Sequence, residues 1–145
     1  MKVLIFSILL FQMAPLFADL EVTEGWARAT PPGMPMGAIY AKISNTGSSD
    51  IEIIGISTPV ARAAEIHQSI EVEGMMRMRE ITPFIVSAGE TVLLAPGGKH
   101  IMLMGLQEGL KQGDTFPLRL QLSNDQAVDV KVITGGFGQM SAPKH

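Results

Sequence analysis

The chain has 145 residues, 46% hydrophobic and 17% charged, a size and balance that suit one domain with one core. Its net charge of −3 and aromatic content of 6% argue against a nucleic-acid partner, which calls for a basic surface and stacking rings. Ten methionines and no cysteine exclude disulfides, zinc–thiolate sites and cysteine nucleophiles.

Residues 1–18 read as a secretory signal peptide. Lys2 supplies the positive start, Val3 to Phe11 the apolar stretch, and cleavage is expected after Ala18. Gln12 and Pro15 break the apolar run, which makes it short for a membrane span. No cysteine follows the cut, as a lipoprotein requires, so a soluble, exported protein is expected. In an oxidising compartment a thioether stays a soft ligand, where exposed thiols become disulfides. The expected organisation is a leader at 1–18, one folded domain at 19–134 and a flexible tail at 135–145.

Within the domain, short β-type runs alternate with turn residues. Glu21 to Arg28 is the first, ended by Thr30-Pro31-Pro32-Gly33, and Met34-Pro35-Met36-Gly37 prolongs the loop. Ala38 to Ser44 alternates in strand fashion, Asn45 to Asp50 is a turn cluster, and Ile51 to Ser57 is rich in β-branched residues. Val60 to His67 is apolar and fits either a strand or a short helix. Ser69 to Arg79 reads as a hairpin with Gly74 near its tip. Phe84 to Val86 and Thr91 to Ala95 are short strands, and Pro96-Gly97-Gly98 turns the chain into Ile101 to Met104. Gly105 to Gly113 has room for one helical turn. Phe116 to Leu122 and Val128, Val130 and Val132 alternate cleanly. Many short strands with Pro/Gly turns and no long helical period predict an all-β sandwich or small barrel.

Only three histidines exist, so each can be weighed. His100 and Met102 sit two apart on a predicted strand and therefore share a face, while Ile101 and Leu103 face the core. Met104 lies further along and is better explained by packing. Met76 and Met78 share one face of the hairpin, and His67 ends the apolar segment before it. Two imidazoles and one or more thioethers, gathered at one end of a sandwich, form a soft set that favours Cu(I) over the oxygen-loving cations. A methionine on a strand is more often core filler, so the residue types alone leave both readings open.

The spacing adds weight. Ten residues separate His67 from Met78 and twenty-one separate Met78 from His100, with Met102 closing an H-x10-M-x21-H-x-M pattern. With Trp26-Ala27-Arg28-Ala29-Thr30-Pro31-Pro32, Ala38-Ile39-Tyr40, Asn45-Thr46-Gly47 and Ala95 to Met102, the chain resembles the periplasmic PCu(A)C copper chaperones from about Trp26 to Val132. The resemblance implies a single cupredoxin-like Greek-key β-barrel. It also implies one Cu(I) held by His67, Met78, His100 and Met102, delivered to the copper centres of cytochrome c oxidase, chiefly CuA. The acceptor would be an oxidase subunit or one of its assembly factors, and the carrier a monomer in the periplasm. Some members bind additional copper on a Met/His-rich C-terminal extension; here the tail offers only Met140 and His145. Met34, Met36, Met75 and Met76 could assist capture or hand-off.

Competing readings are a copper storage or resistance protein and a metal-free Ig-like adhesion or assembly domain. A blue-copper electron carrier needs a Cys ligand and is set aside. An enzyme is not expected, because no nucleophile–base pair or carboxylate cluster stands at a convincing spacing.

Overall fold

Alternation of apolar and polar side chains lets each strand line one inner face and expose the other, and the chain uses this almost throughout. The computed structural model describes residues 19–144; the expected signal peptide and His145 lie outside the described residues. Ten strands follow in order: β1 (Leu20–Arg28), β2 (Met36–Asn45), β3 (Ile51–Ser57), β4 (Ala61–Val72), β5 (Met75–Glu80), β6 (Phe84–Val86), β7 (Thr91–Leu94), β8 (Lys99–Leu106), β9 (Thr115–Leu122) and β10 (Ala127–Gly135). No helix occurs among the described residues, so none there is long and apolar enough to cross a membrane.

Seven strands close on themselves in the order β4-β8-β2-β1-β10-β9-β3, the ring being completed by the pairing of Ile56 with Ala64. The fold is therefore the expected all-β, cupredoxin-like single-domain barrel. β1 and β10 run parallel and the other neighbours antiparallel. β6 and β7 extend the edges of β3 and β2 beyond the closed ring. Ile39, Ile43, Ile53, Ile66, Ile101, Leu103, Leu118, Leu120 and Val132 fill the interior, none more than 1% exposed. Each such side chain contributes roughly 1.5–3 kcal/mol of burial free energy.

One open alternative is resolved and one expectation revised. The segment from Val60 to His67, which fitted either strand or helix, is strand from Ala61 onward, because Ala64 and Ile66 point inward at period two between β3 and β8. The stretch from Gly105 to Gly113 holds no helical turn; β8 runs on to Leu106 and turns follow.

A bulge in β1 decides what faces outward near the site. The β1–β2 register gains one residue between Thr23 and Trp26, where Glu24 takes a φ of 55°. Leu20 and Val22 point inward before the bulge, and Ala27 after it. The extra residue thus turns Trp26 and Arg28 to the outer wall. Space is tight at Gly25, where a Cβ would lie 3.0 Å from Val130 Cγ1 and 3.2 Å from the Lys131 carbonyl oxygen.

The β4–β5 hairpin projects past the barrel. The β4–β8 ladder ends at Gln68 and Lys99, while β4 continues with β5 as far as Val72 opposite Met75. Glu73 and Gly74 form its two-residue tip, with φ of 52° and 77°. That is the primed turn whose twist suits a hairpin, and it explains glycine at the second position. Every residue of β5 is exposed.

Candidate metal centre

Register, more than any loop, gathers the candidate ligands. His67 on β4 and His100 on β8 are directly opposed, and their ring centroids lie 6.1 Å apart. Met102 follows two residues after His100 and so shares its outward face, with Ile101 at 1% and Leu103 at 0% exposure pointing the other way. Met78 opposes Ser69, two residues beyond His67 on the same face of β4. Met78, His100 and Met102 line one shallow concavity of about 330 Å³, walled at its far side by Arg28 and Tyr40. The structure thus brings three of the four residues to one hollow and sets the fourth beside His100. The hollow lies on the outer wall of the barrel where β8 begins, rather than at one end of a sandwich.

The two imidazoles are each tied at one nitrogen. His100 Nδ1 lies 3.2 Å from the Gly98 carbonyl oxygen, and His67 Nε2 lies 3.0 Å from Glu65 Oε2. An N–H donated to each acceptor leaves His100 Nε2 and His67 Nδ1 as bare lone pairs. His67 Nδ1 is buried and has no hydrogen-bond partner. An imidazole oriented by an acceptor on its far nitrogen is the arrangement found in histidines that ligate metals. His100 is itself buried, whereas Met78 is 59% exposed on the projecting hairpin. One rigid side and one loose side therefore face each other across the hollow. Among the described residues, no group of three or more His, Asp and Glu is placed to hold a metal, and the donors that line this hollow include the Met78 and Met102 thioethers, which suit a soft cation.

The far wall is aromatic and cationic. Trp26 and Tyr40 pack with ring centroids 4.8 Å apart, and the Arg28 guanidinium lies 5.6 Å from the centre of the Tyr40 ring. Burial pushes the Tyr40 phenol above its ordinary range, and Arg28 partly offsets this. Arg28 also donates to the Gln139 carbonyl oxygen at 2.7 Å and to the Met140 sulfur at 2.8 Å. The tail methionine is thereby held against the guanidinium at the margin of the hollow.

Sequence reasoning missed one support of the site and misplaced a residue beside it. Glu65 precedes His67 by two residues and shares its face, but the helix-or-strand ambiguity of that segment hid the relation. Met36 was expected in a loop; it is instead the first residue of β2, opposes Met104 and lines the hollow. Met104 is half-buried on the outer face rather than in the core.

Comparison with known proteins agrees with this architecture. Residues 20–134 match the model of the LpqE-like family, described as "Putative lipoprotein LpqE-like". "Putative lipoprotein Lxx21020" of Leifsonia xyli subsp. xyli is 34% identical over 119 residues, covering 81% of this chain and 70% of that protein. The solution structure of CuI-DR1885 from Deinococcus radiodurans superposes with a TM-score of 0.63 at 26% identity, over 86% of this chain and 81% of the other. The apo PmoF2 PCuAC domain superposes with a TM-score of 0.73 at 18% identity, over 86% and 95% of the two chains, a likeness of fold.

Proposed function

The chain belongs to the LpqE-like family and has the fold of the PCuAC domains, and on that premise we propose that it is a periplasmic copper chaperone carrying one Cu(I) on His67, Met78, His100 and Met102. The observation that carries the reading is the meeting of Met78, His100 and Met102 in one hollow, with His67 opposed to His100. The Cu(I) form of the Deinococcus protein supports the oxidation state, and the lipoprotein names of relatives support export. Residues 1–18 are the proposed leader and 19–134 the copper domain.

Two imidazoles and two thioethers are neutral, so the bound ion keeps its single positive charge and its appetite for better donors. A partner bearing thiolates can displace Met78 first, because that side chain is exposed on the hairpin and is not locked by packing. Met102 follows, then the two histidines, with donor and acceptor sharing the ion at each exchange. The recipient is a cytochrome c oxidase subunit, chiefly its CuA site, or an assembly factor of that oxidase. The carrier acts as a monomer and performs no reaction beyond ligand exchange.

The test is a Cu(I) titration of residues 19–145, following methionine methyl and histidine ring signals by NMR. One equivalent should move His67, Met78, His100 and Met102 together. If those four stay in place while copper binds, the ligand assignment is wrong. Reconstitution of an oxidase CuA fragment from the loaded protein tests delivery, and retention of the metal would point to storage instead.

A further inference from the structure

We propose that the outer wall carries a second soft-cation position, formed by Met36 and Met104 with Met102 at its border. This deepens the reading above and rests on it, since the same monovalent cargo would occupy both positions.

Met36 on β2 and Met104 on β8 are directly opposed across the antiparallel pair. Such partners have Cβ atoms about 4.5–5.5 Å apart, and three rotatable bonds let two methionine sulfurs close on one small ion. Met102 opposes Ala38, the next outward position on β2, so it stands diagonal to Met36, within reach of a long side chain. Three thioethers thus surround one patch of the wall. Neither Met36 nor Met104 belongs to the core: Met36 is 45% exposed and Met104 half-buried. Met36 also lines the hollow that contains Met78, His100 and Met102. Packing does not require sulfur at either place.

The chemistry selects the ligand class. Thioethers alone offer neutral, polarisable donors, which suit Cu(I) or Ag(I) and are poor partners for Zn(II), Ca(II) or Mg(II). Neutral sulfurs without an imidazole hold the ion more loosely than the neighbouring set. Met102 stands between the two positions, two residues from both His100 and Met104 on β8. An ion received at Met36 and Met104 can therefore pass by way of Met102 to His100 without returning to water. The step is ligand exchange, with no change of charge on the metal.

The probe is Ag(I), which does not change oxidation state during the measurement. Titrated into residues 19–145 in chloride-free buffer, it should show two events. One moves the His67 and His100 rings with the Met78 and Met102 methyls; a weaker one moves the Met36 and Met104 methyls together. The M36L/M104L double variant conserves volume, and its thermal melt reports folding. It should raise the dissociation constant of the weaker event at least tenfold and leave the histidine event in place. An unchanged second event in the double variant, or Met36 and Met104 methyls that stay still through two equivalents, overturns the proposal. Failure of the chaperone reading has a separate signature, a titration in which the histidine rings never move.

Discussion

Ile101 and Met102 are chain neighbours that point to opposite sides of one wall, and truncating each should separate stability from metal binding. Ile101 is 1% exposed in the barrel interior. Ile101→Ala removes buried methyl groups and leaves a cavity between β4 and β2, at a cost of about 2–5 kcal/mol. For a domain of this size each kcal/mol lowers Tm by roughly 3–5 °C, so a fall of about 6–25 °C is expected. Met102 is half-buried on the outer face, and Met102→Ala should cost only about 1 kcal/mol. It removes a proposed ligand, however, and should weaken Cu(I) binding by more than the roughly 10–100-fold that follows loss of a supporting outer partner. Thermal unfolding of the metal-free variants by circular dichroism measures the first quantity. Competition against a chromophoric Cu(I) chelator, at a temperature where both are folded, measures the second. If Ile101→Ala left Tm unchanged, or Met102→Ala kept full affinity, the assignment of inner and outer faces along β8 would fail.

Three further outcomes follow from other parts of the structure. Gly74→Ala places a side chain at φ +77° on the hairpin tip, in open space, and should cost about 1–2 kcal/mol locally; amide exchange across β5 should quicken and Cu(I) affinity fall as Met78 loses its support. Asn45 is buried, donates to the Ser49 and Val86 carbonyls at 2.8 and 2.9 Å and accepts from the Gly47 amide; Asn45→Ala should cost about 2–4 kcal/mol by urea unfolding, because two carbonyls lose a donor. Arg119, bonded to Asp129 at 2.8 and 2.9 Å, holds that carboxyl below its ordinary value on a fully exposed surface. A depressed carboxyl contributes stability above its unfolded value and loses it as pH falls through the folded one. Arg119→Ala should therefore raise the Asp129 midpoint in an NMR titration towards the ordinary carboxyl range, leaving Tm at pH 7 nearly unchanged.

Much of the architecture was legible because strand alternation is a local signal. Phe116 to Leu122 states its inner and outer faces without any knowledge of its neighbours, and Glu73-Gly74 announces its turn. The pairing of His100 with Met102 followed from the same rule. Three things escaped because they depend on register between distant strands. The opposition of Met36 and Met104 needs β2 to start two residues earlier than its own pattern suggests, and β8 supplies the partner that makes this possible. Glu65 could be recognised as a support for His67 only once that segment was known to be strand. The bulge at Glu24 and Gly25 reverses which residues of β1 face outward, and a positive φ at a glutamate carries little warning in the sequence.

The parallel seam between β1 and β10 has a consequence for how the molecule comes into being. The first strand to be synthesised waits for the last, since β10 must slot between β1 and β9 before the wall is continuous. A nascent chain stopped short of residue 127 presents two raw margins, each able to capture a neighbour. Contacts spanning so much of the polypeptide form slowly and late. The topology thus postpones acquisition of shape until the last strand of the barrel has emerged.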